Sequence, residues 1–130
     1  MILLDTHIWV WWISNRDSLS QQNREILQRA SGSILAVSII SCWEVAKLVQ
    51  SERLKLDRDV NLWIDHALTQ PGVILLPLSP RIVVESTRLP DPFHRDPADQ
   101  LLVATARILG CAFMTEDAKI VSYPHVQLAG

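Results

Sequence analysis

The chain has 130 residues, 48% of them apolar, and a formal net charge of −2. That length suits one hydrophobic core, and the apolar share excludes an intrinsically disordered chain. No basic stripe is present, which argues against a purely electrostatic DNA-binding module.

Cys42 and Cys111 lie far apart, with neither CxxC nor Cys/His spacing. A zinc site or disulfide framework is not expected, and a reducing, cytoplasmic setting fits. The apolar start is broken at once by Asp5 and has no basic stretch before it, so no signal peptide is expected. No apolar run reaches the ~20 residues of a membrane span.

Residues 2–4 read as a short buried strand ended by Asp5-Thr6. The helix that follows carries Ile8, Trp9, Trp12 and Ile13. Trp9 and Trp12, three apart, are expected to pack inward and leave Trp11 exposed. Ser20 caps a second helix over 21–30, with Gly32 beyond its end. Residues 33–39 read as a second buried strand and 41–50 as a helix. An amphipathic helix over 60–69 follows, Pro71-Gly72 breaks the chain, and 73–76 reads as another buried strand. Residues 80–88 form a short helix opened by proline, and Pro90 and Pro92 make 89–96 a loop. The helix over 97–109 is expected to share one face among Leu101, Leu102, Thr105, Ile108 and Leu109, and to stop at Gly110. Residues 111–115 are a last buried run, with a short helix over 118–121.

Short continuous apolar strands separated by helices point to a parallel sheet covered on both faces, an α/β fold. No repeat, linker or low-complexity tract interrupts it, so a single domain over residues 1–130 is expected. None of the four glycines falls in a phosphate-loop motif, which leaves nucleotide binding unsupported.

Fourteen acidic residues are ordinary for this length, but their positions are not. Asp5 ends the first strand. Glu44 lies in the helix after the second, Asp99 opens the long helix after the Pro-rich loop, and Asp117 follows the last strand. In open α/β sheets, ligands bind at the carboxyl ends of the strands, where all four fall. Each also has a local explanation. Ser41-Cys42-Trp43-Glu44 matches a capping box, and Asp96-Pro97-Ala98-Asp99 matches an N-cap, an N1 proline and an acid on the helix dipole. Together, however, four converging carboxylates repel one another unless a cation sits among them. An all-oxygen donor set selects Mg²⁺ or Mn²⁺ over zinc, ions that support phosphoryl chemistry.

Leu4-Asp5-Thr6-His7, the stretch from Ser41 to Lys47, the stretch from His94 to Ala106, Thr115-Glu116-Asp117 and Tyr123-Pro124 resemble the PIN-domain family in order along the chain. They are especially similar to the VapC-like toxins of toxin–antitoxin pairs. The resemblance implies a three-layer fold with a five-stranded parallel sheet between helices. It also implies a Mg²⁺-dependent endoribonuclease, with Mn²⁺ able to substitute, that cuts RNA with a metal-activated water. A cognate antitoxin inhibitor and a homodimer are implied as well. Position by position, Asp5, Glu44 and Asp99 match the family's metal-site acids, and Asp117 matches its fourth, more variable acid. Asp5 and Asp99 then hold the main ion, with Glu44 and Asp117 completing the site directly or through water. Many members carry Arg where this chain has Gln100.

Thr6, Lys47, His94 and Arg95 are candidate RNA contacts. Lys47 has an equal alternative in an intrahelical pair with Glu44, and His94 and Arg95 also suit a solvated loop. Asp96 is best explained as an N-cap, with a direct metal role as the alternative, and Glu116 is left open. Two rival readings remain. One is a catalytically silent PIN-like binding or scaffold protein, against which all four acids stand. The other is a phosphatase or receiver domain, which needs an acidic pair after the first strand and a later Lys where this chain has Asp5 alone and Glu116-Asp117.

Overall fold

The computed structural model describes residues 1–30 and 32–130. Strands β1 (Ile2–Leu4), β2 (Leu35–Ser38), β3 (Val73–Leu76) and β4 (Ala112–Met114) form one parallel sheet in the order β3-β2-β1-β4. Between them run α1 (Thr6–Ser14), α2 (Gln21–Arg29), α3 (Ile39–Gln50), α4 (Val60–Leu68), α5 (Pro80–Ser86) and α6 (Pro97–Leu109), with α7 (Ala118–Val121) after β4. A 3-10 turn over Arg16–Ser18 joins α1 to α2.

Successive strand side chains point to opposite faces. Leu4 and Val37 join Ile8, Trp9, Leu27 and Trp63 in one core layer, while Leu3 and Ala36 join Leu102, Val103, Phe113 and Ile120 in the other. This is why the strands read as continuous apolar runs: both faces are covered, the three-layer α/β arrangement the sequence predicts.

Four expectations change. Among the described residues the sheet has four strands, not five. Beyond β4 the chain adds one parallel bridge, Phe113 with Leu128, held by Phe113 N to Gln127 O at 2.8 Å and Ala129 N to Phe113 O at 2.9 Å. One pair is too little to extend into a strand.

β3 lies at the sheet edge and is not buried: Ile74 is 37% and Leu75 43% exposed. An apolar run reports β propensity without saying which strand ends at an edge.

β2 stops at Ser38, and Ile39, which reads as the last strand residue, opens the first turn of α3 with Ile40. The Ser38 hydroxyl caps that turn, accepting from Ile40 N at 3.1 Å. Ser41 therefore lies inside the helix, and the expected capping box with Glu44 does not form. Finally, the buried stripe of α6 runs through Ala98, Leu102, Val103, Thr105 and Ala106, leaving Ile108 and Leu109 in its exposed last turn. Gly110 closes α6 in the left-handed conformation at φ 62°, as its position predicts.

The Pro-rich loop before α6 is held from the C-terminal side. Tyr123 donates its hydroxyl to Pro90 O at 2.6 Å and packs edge-on against Phe93, 4.7 Å between centroids. Phe93 in turn contacts the His94 ring at 4.3 Å. Tyr123→Phe keeps the packing and removes one hydrogen bond, so urea denaturation is expected to show a loss of about 1 kcal/mol. An unchanged midpoint would mean that the loop does not depend on this bond.

Candidate metal centre

The carboxyl ends of β1 and β4 open into a cleft of about 440 Å³, lined by Asp5, Glu44, Asp96, Asp99, Glu116 and Asp117, with His7 and Trp11 at its side. All four acids singled out from the sequence reach it. Asp5 directly follows β1 and Asp117 caps α7. Glu44 projects from the second turn of α3 and Asp99 from the first turn of α6.

Asp5 is 7% exposed. One carboxylate oxygen accepts from Thr6 N at 2.8 Å and the other from the Thr115 hydroxyl at 2.7 Å. Burial still dominates and pushes the carboxyl from 3.8 up to about 6, with the Asp99 charge adding to the rise.

Glu44 accepts a hydrogen bond from the Thr6 hydroxyl, whose oxygen also lies 2.9 Å from Ser41 Oγ. A hydroxyl has one proton, so with Thr6 donating to Glu44 the Ser41 hydroxyl supplies the other bond. Burial, reinforced by Asp5, Asp99 and Asp96, pushes Glu44 from 4.5 up to about 7. Burial also raises Asp99, opposed by His94 Nε2 at 2.7 Å.

Asp96 is the N-cap of α6 and accepts from Asp99 N at 3.0 Å. The cap leaves carboxylate oxygen to spare. Glu44, Asp96 and Asp99 each offer an oxygen, all within 4.8 Å of one another. Asp5 and Asp117 sit further round the cleft wall. Asp117 Oδ1 accepts from Lys119 N at 2.9 Å, while its own amide donates to Thr115 Oγ1 at 3.1 Å. Thr115 thus ties Asp5 to Asp117. Glu116 faces elsewhere in its bonding: Oε2 accepts from Ser20 N and Asn23 Nδ2, both at 2.9 Å, and so anchors the start of α2.

Among the described residues, no Lys or Arg pairs with the cleft acids; His94 alone does. Close-set carboxylate oxygens, raised pKa values at Asp5, Glu44 and Asp99, and no Lys or Arg partner among the described residues suit a hard divalent cation, which offsets their repulsion and takes oxygen ligands.

The candidate RNA contacts fall differently. Thr6 is buried and its hydroxyl is spent on Glu44 and Ser41, so it positions an acid. Lys47 does not pair with Glu44; its Nζ lies 5.9 Å from the Trp43 ring centre. His94 is engaged by Asp99, and Arg95 is exposed on the loop. Gln100 donates to His94 O at 3.1 Å, steadying that loop.

Trp9 is fully buried as expected, but Trp11 and Trp12 are both half-buried. The exposed tryptophan is Trp43, at 55%. Sequence reading also missed Ser41 and Thr115 as positioning hydroxyls. The available signal was a Ser or Thr within three residues of Asp5, Glu44 and Asp117.

A parallel α/β sheet with carboxylates gathered at its strand ends defines a class, and comparison narrows it. The chain belongs to the PIN domain family, whose model matches residues 2–126. It is similar to Ribonuclease VapC22 of Mycobacterium tuberculosis, at 32% identity over 124 residues, covering 95% of this chain and 92% of that one. Its fold is shared by VapBC2 from Rickettsia felis bound to a DNA fragment from their promoter. There the TM-score is 0.70 at 18% identity, over 99% of this chain and 98% of that one. A toxin–antitoxin complex from Klebsiella pneumoniae gives a TM-score of 0.67 at 19% identity, over 97% and 95% of the two chains.

Proposed function

We propose that this chain is the toxin of a toxin–antitoxin pair and acts in the cytoplasm as a Mg²⁺-dependent endoribonuclease. The observation that carries the reading is the carboxylate cleft at the strand ends, in a chain 32% identical to a named ribonuclease. Glu44, Asp96 and Asp99 hold the cation, with Asp5 and Asp117 completing its surroundings. When bound, the cation neutralises phosphate charge and acidifies a water for hydrolysis.

The chain's own groups prepare the cleft. Thr115 and the Thr6 amide fix Asp5, the Thr6 hydroxyl fixes Glu44, and His94 fixes Asp99. These bonds hold the carboxylates ready, so little reorganisation is needed at the moment of reaction. Below about pH 6 for Asp5 and about pH 7 for Glu44 the cation-free carboxyls hold protons, which a bound cation would displace. The family resemblance implies a 5′-phosphate and a 3′-hydroxyl on the products. A cognate antitoxin that covers the cleft silences the toxin, and the toxin itself works as a homodimer. No helix among the described residues is long and apolar enough to cross a membrane.

Incubating the protein with a mixed RNA pool tests the reading. Cleavage in Mg²⁺, its loss in EDTA and its return with Mn²⁺ are expected. Equal cleavage in EDTA would refute the metal requirement, and no cleavage under any condition would favour a silent PIN fold.

A further inference from the structure

Beyond Glu44 and Asp96, which line both spaces, the acidic cleft continues into a second one of about 540 Å³. Its wall carries Trp43, Lys47, Gln50 and Arg53. Trp43 is the most exposed of the tryptophans, although Ser41 and Val45, two residues to either side, are fully buried. An indole left in water beside a candidate active site has no role in the fold's core. Trp43 and Lys47 are one helical turn apart and share a face, with the ammonium 5.9 Å from the ring centre.

The ion pairs among the described residues involve neither Lys47 nor Arg53. Arg53 thus has no acidic partner among the described residues, and Lys47 is held only over one face of the Trp43 ring. The adjoining cleft, by contrast, is acidic and repels phosphate until a cation enters. A polyanion must be recruited by positive charge next to the cleft, and this wall supplies it with an aromatic face between.

We propose that Trp43, flanked by Lys47 and Arg53, is a stacking platform for one unpaired nucleotide adjacent to the scissile phosphate. The proposal rests on the ribonuclease reading above and deepens it: the substrate is RNA whose bases are free to leave a stack. Every base presents a π face, so the platform tolerates any sequence, whereas the bases of a continuous A-form duplex stay stacked on one another. Lys47 and Arg53 take the flanking phosphates, and Glu44, the next residue round the helix from Trp43, lines both this space and the acidic cleft that receives the reacting phosphate.

The test measures cleavage of a labelled unstructured oligoribonucleotide, alone and annealed to its complement, by wild type, Trp43→Ala and Trp43→Phe in Mg²⁺. Trp43→Ala is expected to raise KM about 10- to 100-fold with little change in kcat, and Trp43→Phe to restore most of the loss. Wild type is expected to prefer the single strand, and Trp43→Ala to lose most of that preference. Replacing nucleotides one at a time with abasic sites then locates the stacked position. Wild type is penalised at one position, and Trp43→Ala is not penalised further there.

An unchanged KM in Trp43→Ala, or equal loss in Trp43→Phe, overturns the platform. So does a Trp43→Ala protein with normal RNA kinetics and altered self-association, which would place the indole in a protein contact. If wild type cleaves no RNA, the ribonuclease reading itself has failed. The platform is then judged separately by fluorescence anisotropy of the same labelled strand in EDTA. There, weaker binding by Trp43→Ala than by Trp43→Phe supports it, and equal binding refutes it.

Discussion

Asp99→Asn is expected to slow RNA cleavage in Mg²⁺ by about 100-fold or more, and Asp5→Asn to do the same. Asparagine keeps the size of the side chain and an acceptor for its local partners, so the change isolates the charge. At Asp99 that partner is His94, and at Asp5 they are the Thr6 amide and the Thr115 hydroxyl, which can rotate to suit. Single-turnover cleavage gives the rate, and circular dichroism establishes that each variant is folded. Near-normal turnover by Asp99→Asn would mean that the site has been misassigned. The same variants are expected to melt no lower than wild type in EDTA, because each relieves repulsion among close-set carboxylates. A role confined to helix capping predicts no such gain.

In metal-free buffer, thermal stability is expected to fall as pH rises from 5 to 8. Burial raises Asp5 from 3.8 to about 6 and Glu44 from 4.5 to about 7, so the folded chain retains protons that the unfolded chain releases. Stability therefore decreases with pH between the unfolded and folded values, and the loss is complete above the folded ones. Between pH 5 and 8 the buried Asp5 contributes about 1.4 kcal/mol of this loss. Glu44 is partly solvated, and after discounting for screening it adds a similar amount. Together these lower Tm by about 10 °C. Asp5→Asn flattens the profile, and Mg²⁺ restores stability at pH 8 by taking the place of the protons. Scanning calorimetry across the range decides it: a flat profile in EDTA, unaltered by Asp5→Asn, would remove the basis for treating these acids as a strained, unpaired group.

Much of this architecture was readable from residue order alone. Punctuation by Pro71-Gly72, Pro97 and Gly110 marks element ends because those residues restrict or free the backbone locally. The four acids could be placed at one sheet edge because strand ends in a parallel sheet all face the same way. What failed was information held in tertiary packing. Ile39 and Ile40 have the residue types of a strand, yet the Ser38 cap starts a helix there. Ile74 and Leu75 are as apolar as the central strands, and only the sheet order leaves them at an edge. In the site, Asp96 reads first as a cap and only second as a metal ligand, because sequence does not show that Glu44 approaches it from another helix. Trp43 passed as part of a motif, and Trp11 was favoured as the exposed indole. Helical spacing ranks faces within one helix but not which face a neighbour covers.

The order of the strands has a consequence for how the protein is made. β1 lies inside the sheet, between β2 and β4, although it is first in sequence. Asp5 thus meets Thr115 across 110 positions, and its neighbour Thr6 meets Glu44 across 38. Contacts so distant in sequence form late, after the intervening chain has been ordered. During translation, at roughly 5–20 residues per second, the ribosome delivers Asp5 many seconds before the segment that completes its surroundings. Until β4 arrives, β1 lacks one hydrogen-bonded neighbour, and Asp5 lacks the hydroxyl that orients its outer oxygen. A growing chain accordingly carries all but the last two of the cleft's acids, Glu116 and Asp117, while having no assembled cleft. A polypeptide that hydrolyses RNA would be inert beside the messenger and ribosome producing it until β4 and the residues that follow it have been added.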